Sequence, residues 1–456
     1  MLSQKQKINK IFIPLLLVSS FIFLGAGCTK NQSVKPKRTT LSYWRVFDDS
    51  SVMQPIISAY QALHPSVSIS YKKMRIEEYE RELLEGFAED RGPDIFSIPN
   101  TAVGKYETKL TALPSQLEKI PTAVPQGGNN EPIIQYQSRK TPDPRVLKDT
   151  FVPTVVKDVI KNDKIYGIPF FVDTLALFYN RDLLARAGIP EPPRTWGEVQ
   201  QAVESLTVLS EDGTFIQSGI ALGTAENVSR APDTLALLMM QSGITIVDDT
   251  GSRVLLSSSQ NREENLSANA LLFYTDFANP TKTVYTWNDK QSDAITAFAQ
   301  GKVALMLGYS YHLPQIRQKN PNINMGVTAI PQITANEMIP VNIANYWIEV
   351  VAKKTTTPHI AWDFILFAAR QEQAIKYLEE TKRPTALRAL IRQQQEDLDL
   401  KPFVDGLLVA KSWYKGNDPN QADAALKEAI TVTLNGTQPA ETAITMAGRK
   451  IQETLK

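Results

Sequence analysis

The stretch Lys164–Val199 sets what this chain can fold into. A short apolar strand is expected over Ile165–Phe171. One polar residue, Asp173, interrupts it, and a second apolar strand follows over Leu175–Tyr179. A helix is then predicted from about Asn180 to Ala187, where Gly188 stops it. Pro190, Pro192 and Pro193 make a rigid turn, and Thr195 starts the next helix. Thr195 and Glu198 have the S/T-x-x-E spacing of a capping box. A strand, a polar break, a strand and two punctuated helices can leave one lobe, cross a hinge and begin a second.

At 456 residues the chain is long enough to bury two or three domain-sized cores. The net charge of +1 suggests no nucleic acid or other polyanionic partner. A single cysteine, Cys28, excludes a disulfide framework and a cysteine-based zinc site. His64, His312 and His359 are far apart and lack metal-ligand spacing, so neither a metal nor a cofactor is expected.

The N-terminus addresses the compartment. Lys5, Lys7 and Lys10 precede an apolar run from Ile11 to Leu24, and Gly25-Ala26-Gly27 stands directly before Cys28. This is the order of a secretory signal. The apolar run is shorter than the about 20 residues a membrane span needs. It resembles a bacterial lipoprotein signal, which implies cleavage before Cys28 and a lipid on its thiol. Gly25 departs from that pattern, since Leu24 stands one residue early. Residues 29–39 are polar and basic and read as a flexible tether.

Residues 40 to about 171 alternate strand and helix patterns. Leu41–Phe47, Val67–Tyr71 and Asp94–Ile98 read as strands, with helical apolar stripes at Val52, Ile56, Tyr60, Leu63 and at Ile76, Tyr79, Leu83, Phe87. The β-α-β-α-β order predicts a parallel sheet. Ligands of such sheets sit beyond the carboxyl ends of the strands. Those ends carry Asp48 and Asn100. From Pro114 to Thr150, prolines and glycines predict a long irregular excursion.

Tyr166-Gly167-Ile168-Pro169, Tyr179-Asn180-Arg181-Asp182, Ala187-Gly188-Ile189 and Pro193-Arg194-Thr195-Trp196 follow one another in a specific order. With Ala297–Ser310, AFAQGKVALMLGYS, they resemble the sugar-binding family of extracytoplasmic solute-binding proteins that serve ABC importers. The resemblance covers about residues 40–450. It implies a two-lobed α/β fold of the periplasmic-binding-protein kind, each lobe a mainly parallel sheet flanked by helices, joined by three hinge crossings. The crossings are expected near Asp173, within Val341–Val351 and at Lys382-Arg383-Pro384. The implied lobes are 40–172 with 342–385, and 173–341 with 386–456. The resemblance also implies permease subunits as partners, an extracytoplasmic and lipid-anchored location, and a monomer.

A sugar offers C–H faces to aromatic rings and hydroxyls to carboxylates and amides. On that chemistry the candidate ligand residues are Asp48, Asn100, Asp173, Asn227, Tyr309, Tyr311, Asn345 and Trp347. Asp173 stands at the first crossing. Asn227 lies in a junction that faces the ligand in the resembling family, and Tyr309, Tyr311 and Trp347 follow strands or a crossing. A polyamine, peptide or other small solute in the same cleft is the alternative. An exported carbohydrate-acting enzyme is the more distant one, since no G-x-S-x-G, H-E-x-x-H or P-loop motif is present.

Overall fold

The computed structural model describes residues 38–126, 132–256, 265–334 and 340–455. Cys28, the signal segment and most of the 29–39 tether lie outside them. In chain order the strands are β1 (Thr39–Arg45), β2 (Val67–Lys73), β3 (Ile95–Pro99), β4 (Gln116–Val124), β5 (Ile133–Lys140), β6 (Ile160–Lys161), β7 (Lys164–Ile165) and β8 (Ile168–Pro169). There follow β9 (Asp173–Thr174), β10 (Ala176–Asn180), β11 (Val208–Leu209), β12 (Phe215–Ile220), β13 (Val303–Gly308), β14 (Met325–Ala329), β15 (Asn342–Asn345), β16 (Trp347–Val351) and β17 (Ala410–Lys411).

Two separate hydrophobic cores divide the described chain. One gathers Leu41 through Val172, then Ala344 through Ala410, and includes the fully buried Trp362. The other gathers Leu175 through Ile343 with Phe403, Trp413 and the last two helices, and includes the fully buried Trp287. The first core surrounds a sheet ordered β2-β1-β3-β16-β8, the second a sheet ordered β11-β12-β13-β10-β14. Helices flank both, so the fold is a two-lobed α/β arrangement as expected.

The sheets are mixed rather than mainly parallel. β1 runs parallel to β2 and β3, but β16 runs antiparallel to both β3 and β8. In the second-lobe sheet β12 and β13 are parallel, while β11 is antiparallel to β12 and β10 is antiparallel to β13 and β14. β16 and β10 each enter their sheet directly from a crossing, on the side where neighbouring strands end, so they run the opposite way.

The crossings pair with one another. β9, β15 and β17 form a three-stranded sheet with β15 in the middle, antiparallel to β9 and parallel to β17. The third crossing is therefore at Ala410–Lys411, and the expectation at Lys382-Arg383-Pro384 is corrected. Lys382 closes the Gln371–Thr381 helix in a left-handed conformation. Val172 N–H then bonds Pro384 O, and Phe171 bridges Thr385, so the chain stays on the first lobe. Ala386, Leu387, Leu390 and Leu400 accordingly pack in the first core, not the second.

Two local expectations also change. The 114–150 excursion contains a hairpin, β4 with β5, and a helix over Pro144–Thr150. Pro121 sits on this two-stranded ribbon, where its missing N–H leaves no ladder incomplete. The hairpin is tied down by His64 Nδ1 to Pro121 O at 2.8 Å, Glu118 N–H to His359 Nδ1 at 3.1 Å and Arg139 to Asp363 at 3.2 Å. Ile165–Phe171 is not one strand but the separate ends β7 and β8. Between them Gly167 lies so close to β16 that a Cβ would stand 2.9 Å from Ile348 Cδ1 and 3.2 Å from Glu349 O. The capping box at Thr195 and Glu198 forms as read.

Candidate ligand-binding site

Between the two cores lies a cleft of about 670 Å³, walled by both lobes and floored by the hinge. That volume is within the range of small-molecule sites.

The first-lobe wall begins where β1 ends. Phe47 is 47% exposed and meets Trp347 edge to face, ring centres 5.2 Å apart; Tyr79 stands behind Trp347 at 6.0 Å. Tyr79 is fixed by donating to Ser97 O at 2.8 Å. A buried ionic chain supports the Phe47 loop. Arg45 pairs with Asp48 at 2.7 Å and Glu349 at 3.2 Å, and Arg383 pairs with Asp48 at 3.0 Å and lies over the Phe171 ring at 4.4 Å. Burial opposes ionisation of Asp48, but Arg45 and Arg383 outweigh it and hold the carboxyl below the usual range. Burial pushes Glu349 the other way, upward, against the pull of Arg45.

The second-lobe wall centres on Asp233, at the start of the Ala231–Gln241 helix. Its carboxylate accepts from Arg230 Nε at 2.8 Å and Nη2 at 2.7 Å, Tyr309 OH at 2.6 Å, Trp413 Nε1 at 3.1 Å and Asn345 Nδ2 at 3.4 Å. Burial works against its charge, yet Arg230 and these donors keep its carboxyl below the ordinary value. Tyr311 faces the cleft, stacked on Tyr309 at 5.6 Å with 15° between the rings. Arg230 also donates from Nη1 to Asp423 Oδ2 at 2.8 Å.

Of the residues singled out from sequence, Asn100, Tyr311, Asn345 and Trp347 line the cleft. The other four do not. Asp48 is buried beneath Phe47 in the ionic chain. Asp173 is 1% exposed and lies under the floor, accepting from Ser310 Oγ at 2.6 Å, Ser310 N–H at 3.0 Å and Thr174 N–H at 2.9 Å. It fixes the turn that carries Tyr309 and Tyr311, and burial raises its pKa to about 6. Asn227 braces a loop, donating to Asn288 O and Gln291 O and accepting from Trp287 Nε1. Tyr309 is fully buried and supports Tyr311 from behind.

Sequence reasoning missed Arg230, Asp233 and Asp423, and the Glu80–Lys105 ion pair that also lines the cleft. The available signal was Arg230-Ala231-Pro232-Asp233, a proline early in a helix beside oppositely charged residues three apart. Asn100 donates to Ser412 Oγ at 2.7 Å, tying the first-lobe wall to the chain just past β17. Among the described residues no cluster of His, Cys, Asp and Glu has the geometry of a metal site.

Two lobes, three paired crossings and a polar-aromatic cleft define a hinged binding protein. The chain belongs to the bacterial extracellular solute-binding protein family, whose model matches residues 56–396. A putative binding protein of Brucella abortus is 28% identical over 207 residues, 45% of this chain and 46% of that one. The match thus spans about half the length of that relative. The galactooligosaccharide-binding protein of Bacillus subtilis is 20% identical over 373 residues, 80% of this chain and 78% of that one. Among solved structures, a cyclo/maltodextrin-binding protein complexed with maltotetraose has the same fold, with TM-score 0.71 and 16% identity over 93% of this chain and 99% of that one.

Proposed function

We propose that this protein is the extracytoplasmic binding component of an ABC importer and captures an uncharged carbohydrate. The observation that carries this is the pairing of charge with aromatic surface. Each cation lining the cleft is already matched: Lys105 by Glu80, Arg383 by Asp48, and Arg230 by Asp233 and Asp423. Among the described residues an anionic solute finds no unmatched cation there. A polyamine, with several charges, needs several spare carboxylates. Phe47 and Trp347 on one wall and Tyr311 and Trp413 on the other offer ring surface to sugar C–H faces. The galactooligosaccharide- and maltodextrin-binding proteins named above support the same solute class.

In this reading the lobes close about β9, β15 and β17 with the solute between them. A permease receives the closed form, Cys28 carries the lipid anchor, and the protein works as a monomer without chemistry on the sugar. A thermal-shift screen of neutral oligosaccharides, polyamines and peptides tests the solute class, because ligands that bind only the native state raise its melting temperature. A shift with polyamines or peptides and none with sugars would overturn it. Mass spectrometry of the mature N-terminus tests the anchor.

A further inference from the structure

We propose that Arg230 and Asp423 form a preset donor–acceptor pair that reads two neighbouring hydroxyls of the solute and turns away anionic sugars. This rests on the carbohydrate reading above.

Arg230 precedes its helix in a left-handed conformation, φ 53°. A non-glycine residue holds such a conformation only where its surroundings enforce it. Here the enforcement is visible. The side of the guanidinium is clamped by both oxygens of Asp233, a carboxylate only 2% exposed and tied to three further side chains. The plane of the fork is therefore fixed before any ligand arrives.

Guanidinium has five N–H donors. Among the described residues three are engaged, two by Asp233 and one by Asp423. Two remain, on a side chain that is 36% exposed and lines the cleft. Asp423, from the Pro419–Leu434 helix, is 25% exposed, lines the same cleft and engages only Oδ2. Its Oδ1 has no partner among the described residues. Unengaged N–H groups and an unengaged carboxylate oxygen are thus carried by two side chains already joined at 2.8 Å. Adjacent hydroxyls fit this pair, one accepting from Arg230 and the next donating to Asp423.

The charge of the cluster supplies the exclusion. Two carboxylates share one guanidinium, leaving one negative charge on this wall. Lys427, one turn along the Asp423 helix, also attracts Asp423 but pairs with Glu226 at 3.0 Å, so that pair adds no net charge to the cluster. A uronate or sugar phosphate brings a like charge into a confined site.

Calorimetric titration of wild type, Arg230→Lys and Asp423→Asn tests the assignment, with maltotetraose, mannobiose and a galactooligosaccharide as neutral probes and digalacturonate as the anionic one. Arg230→Lys keeps the charge but lacks the fork, and the melting temperature of each unliganded variant confirms that it folds. Wild type should bind at least one neutral probe and not digalacturonate. Both variants should weaken the neutral probe by roughly tenfold to a hundredfold. Asp423→Asn should narrow the discrimination against digalacturonate, an effect that a purely structural role would not produce. Neutral binding unchanged in both variants, or tight wild-type binding of digalacturonate, would overturn this inference and leave the two-lobed binding function standing. Failure of wild type to bind any sugar would overturn the carbohydrate reading and this inference with it.

Discussion

Acidification from about pH 7 to about pH 4.5 should cost the native state about 2–3 kcal/mol through His312 alone. His312 is 2% exposed and packs against the Tyr311 ring at 4.3 Å. Its Nδ1 accepts the Tyr309 N–H at 3.0 Å, and Nε2 lies 3.2 Å from Ser229 Oγ. The Nδ1 site is thus taken by a donor and has no place for a proton. Burial pushes the imidazole down to about 3. An unfolded histidine titrates near about 6.5. The folded value is the lower one, so the stabilisation is complete above the unfolded pKa and is lost as pH falls from there towards 3. Asp173 runs the opposite way. Its folded pKa is raised to about 6, so its contribution favours the native state as pH falls through 6 towards the unfolded value. A pH series on wild type alone would mix the two. Urea unfolding of wild type and His312→Asn, followed by tryptophan fluorescence at both pH values, separates them, since both proteins carry Asp173. The asparagine can still accept from Tyr309 but cannot be protonated. The stability gap between the two proteins should shift by about 2–3 kcal/mol in favour of the variant at the lower pH. A gap that is the same at both values would show that His312 is not held neutral by its surroundings.

Trp347→Ala should weaken sugar binding about tenfold, by roughly 1–2 kcal/mol, with little change in melting temperature, because the ring lies half-buried at the cleft. Trp362→Ala should do the reverse, lowering stability by roughly 3–5 kcal/mol in urea unfolding, since that ring is fully buried in the first core. Gly104→Val should hold the lobes apart: a Cβ there would stand 2.9 Å from both Gly416 O and Asn417 Oδ1 across the cleft. Titration should then show sugar affinity down by at least about tenfold, as expected where closure is harder by about 1.4 kcal/mol, and small-angle scattering should show no compaction on sugar addition. Thr195→Ala should cost about 1 kcal/mol by removing one half of the capping box, measured as a shift in the unfolding midpoint.

The parts legible in the sequence were those written in local periodicity and punctuation. The Lys164–Val199 stretch states its helices through Asn180, Gly188 and the Thr195–Glu198 box, and the polar Asp173 marks where the chain leaves one core for the other. The third crossing was not legible because nothing local distinguishes Lys382-Arg383-Pro384 from a crossing. What keeps that turn on the first lobe is pairing with Phe171 and Val172, over 200 residues earlier. Prolines in 114–150 correctly signalled interruption but concealed a hairpin whose anchors, His64, His359 and Asp363, lie elsewhere in the chain. The cleft lining was legible where it follows strand ends and crossings, at Asn100, Tyr311, Asn345 and Trp347. It was misjudged where a polar residue serves the scaffold. Asp48 and Asp173 have the right chemistry and stand near the right place, but each is consumed by partners that only the fold brings to it. Asp233 was missed for the same reason in reverse, since three of its five donors, on Tyr309, Asn345 and Trp413, come from distant parts of the chain.

The ribbon joining the lobes has a mechanical consequence. Its members are two, four and two residues long and share hydrogen bonds edge to edge, so none can twist without its neighbours. Motion between the halves is therefore gathered into one coordinate, like a door on a single pin rather than three loose straps. Asp173 fastens that pin to the Tyr309–Tyr311 turn and Asn100 reaches its far edge through Ser412, so a solute seated against either wall pushes on the same axis.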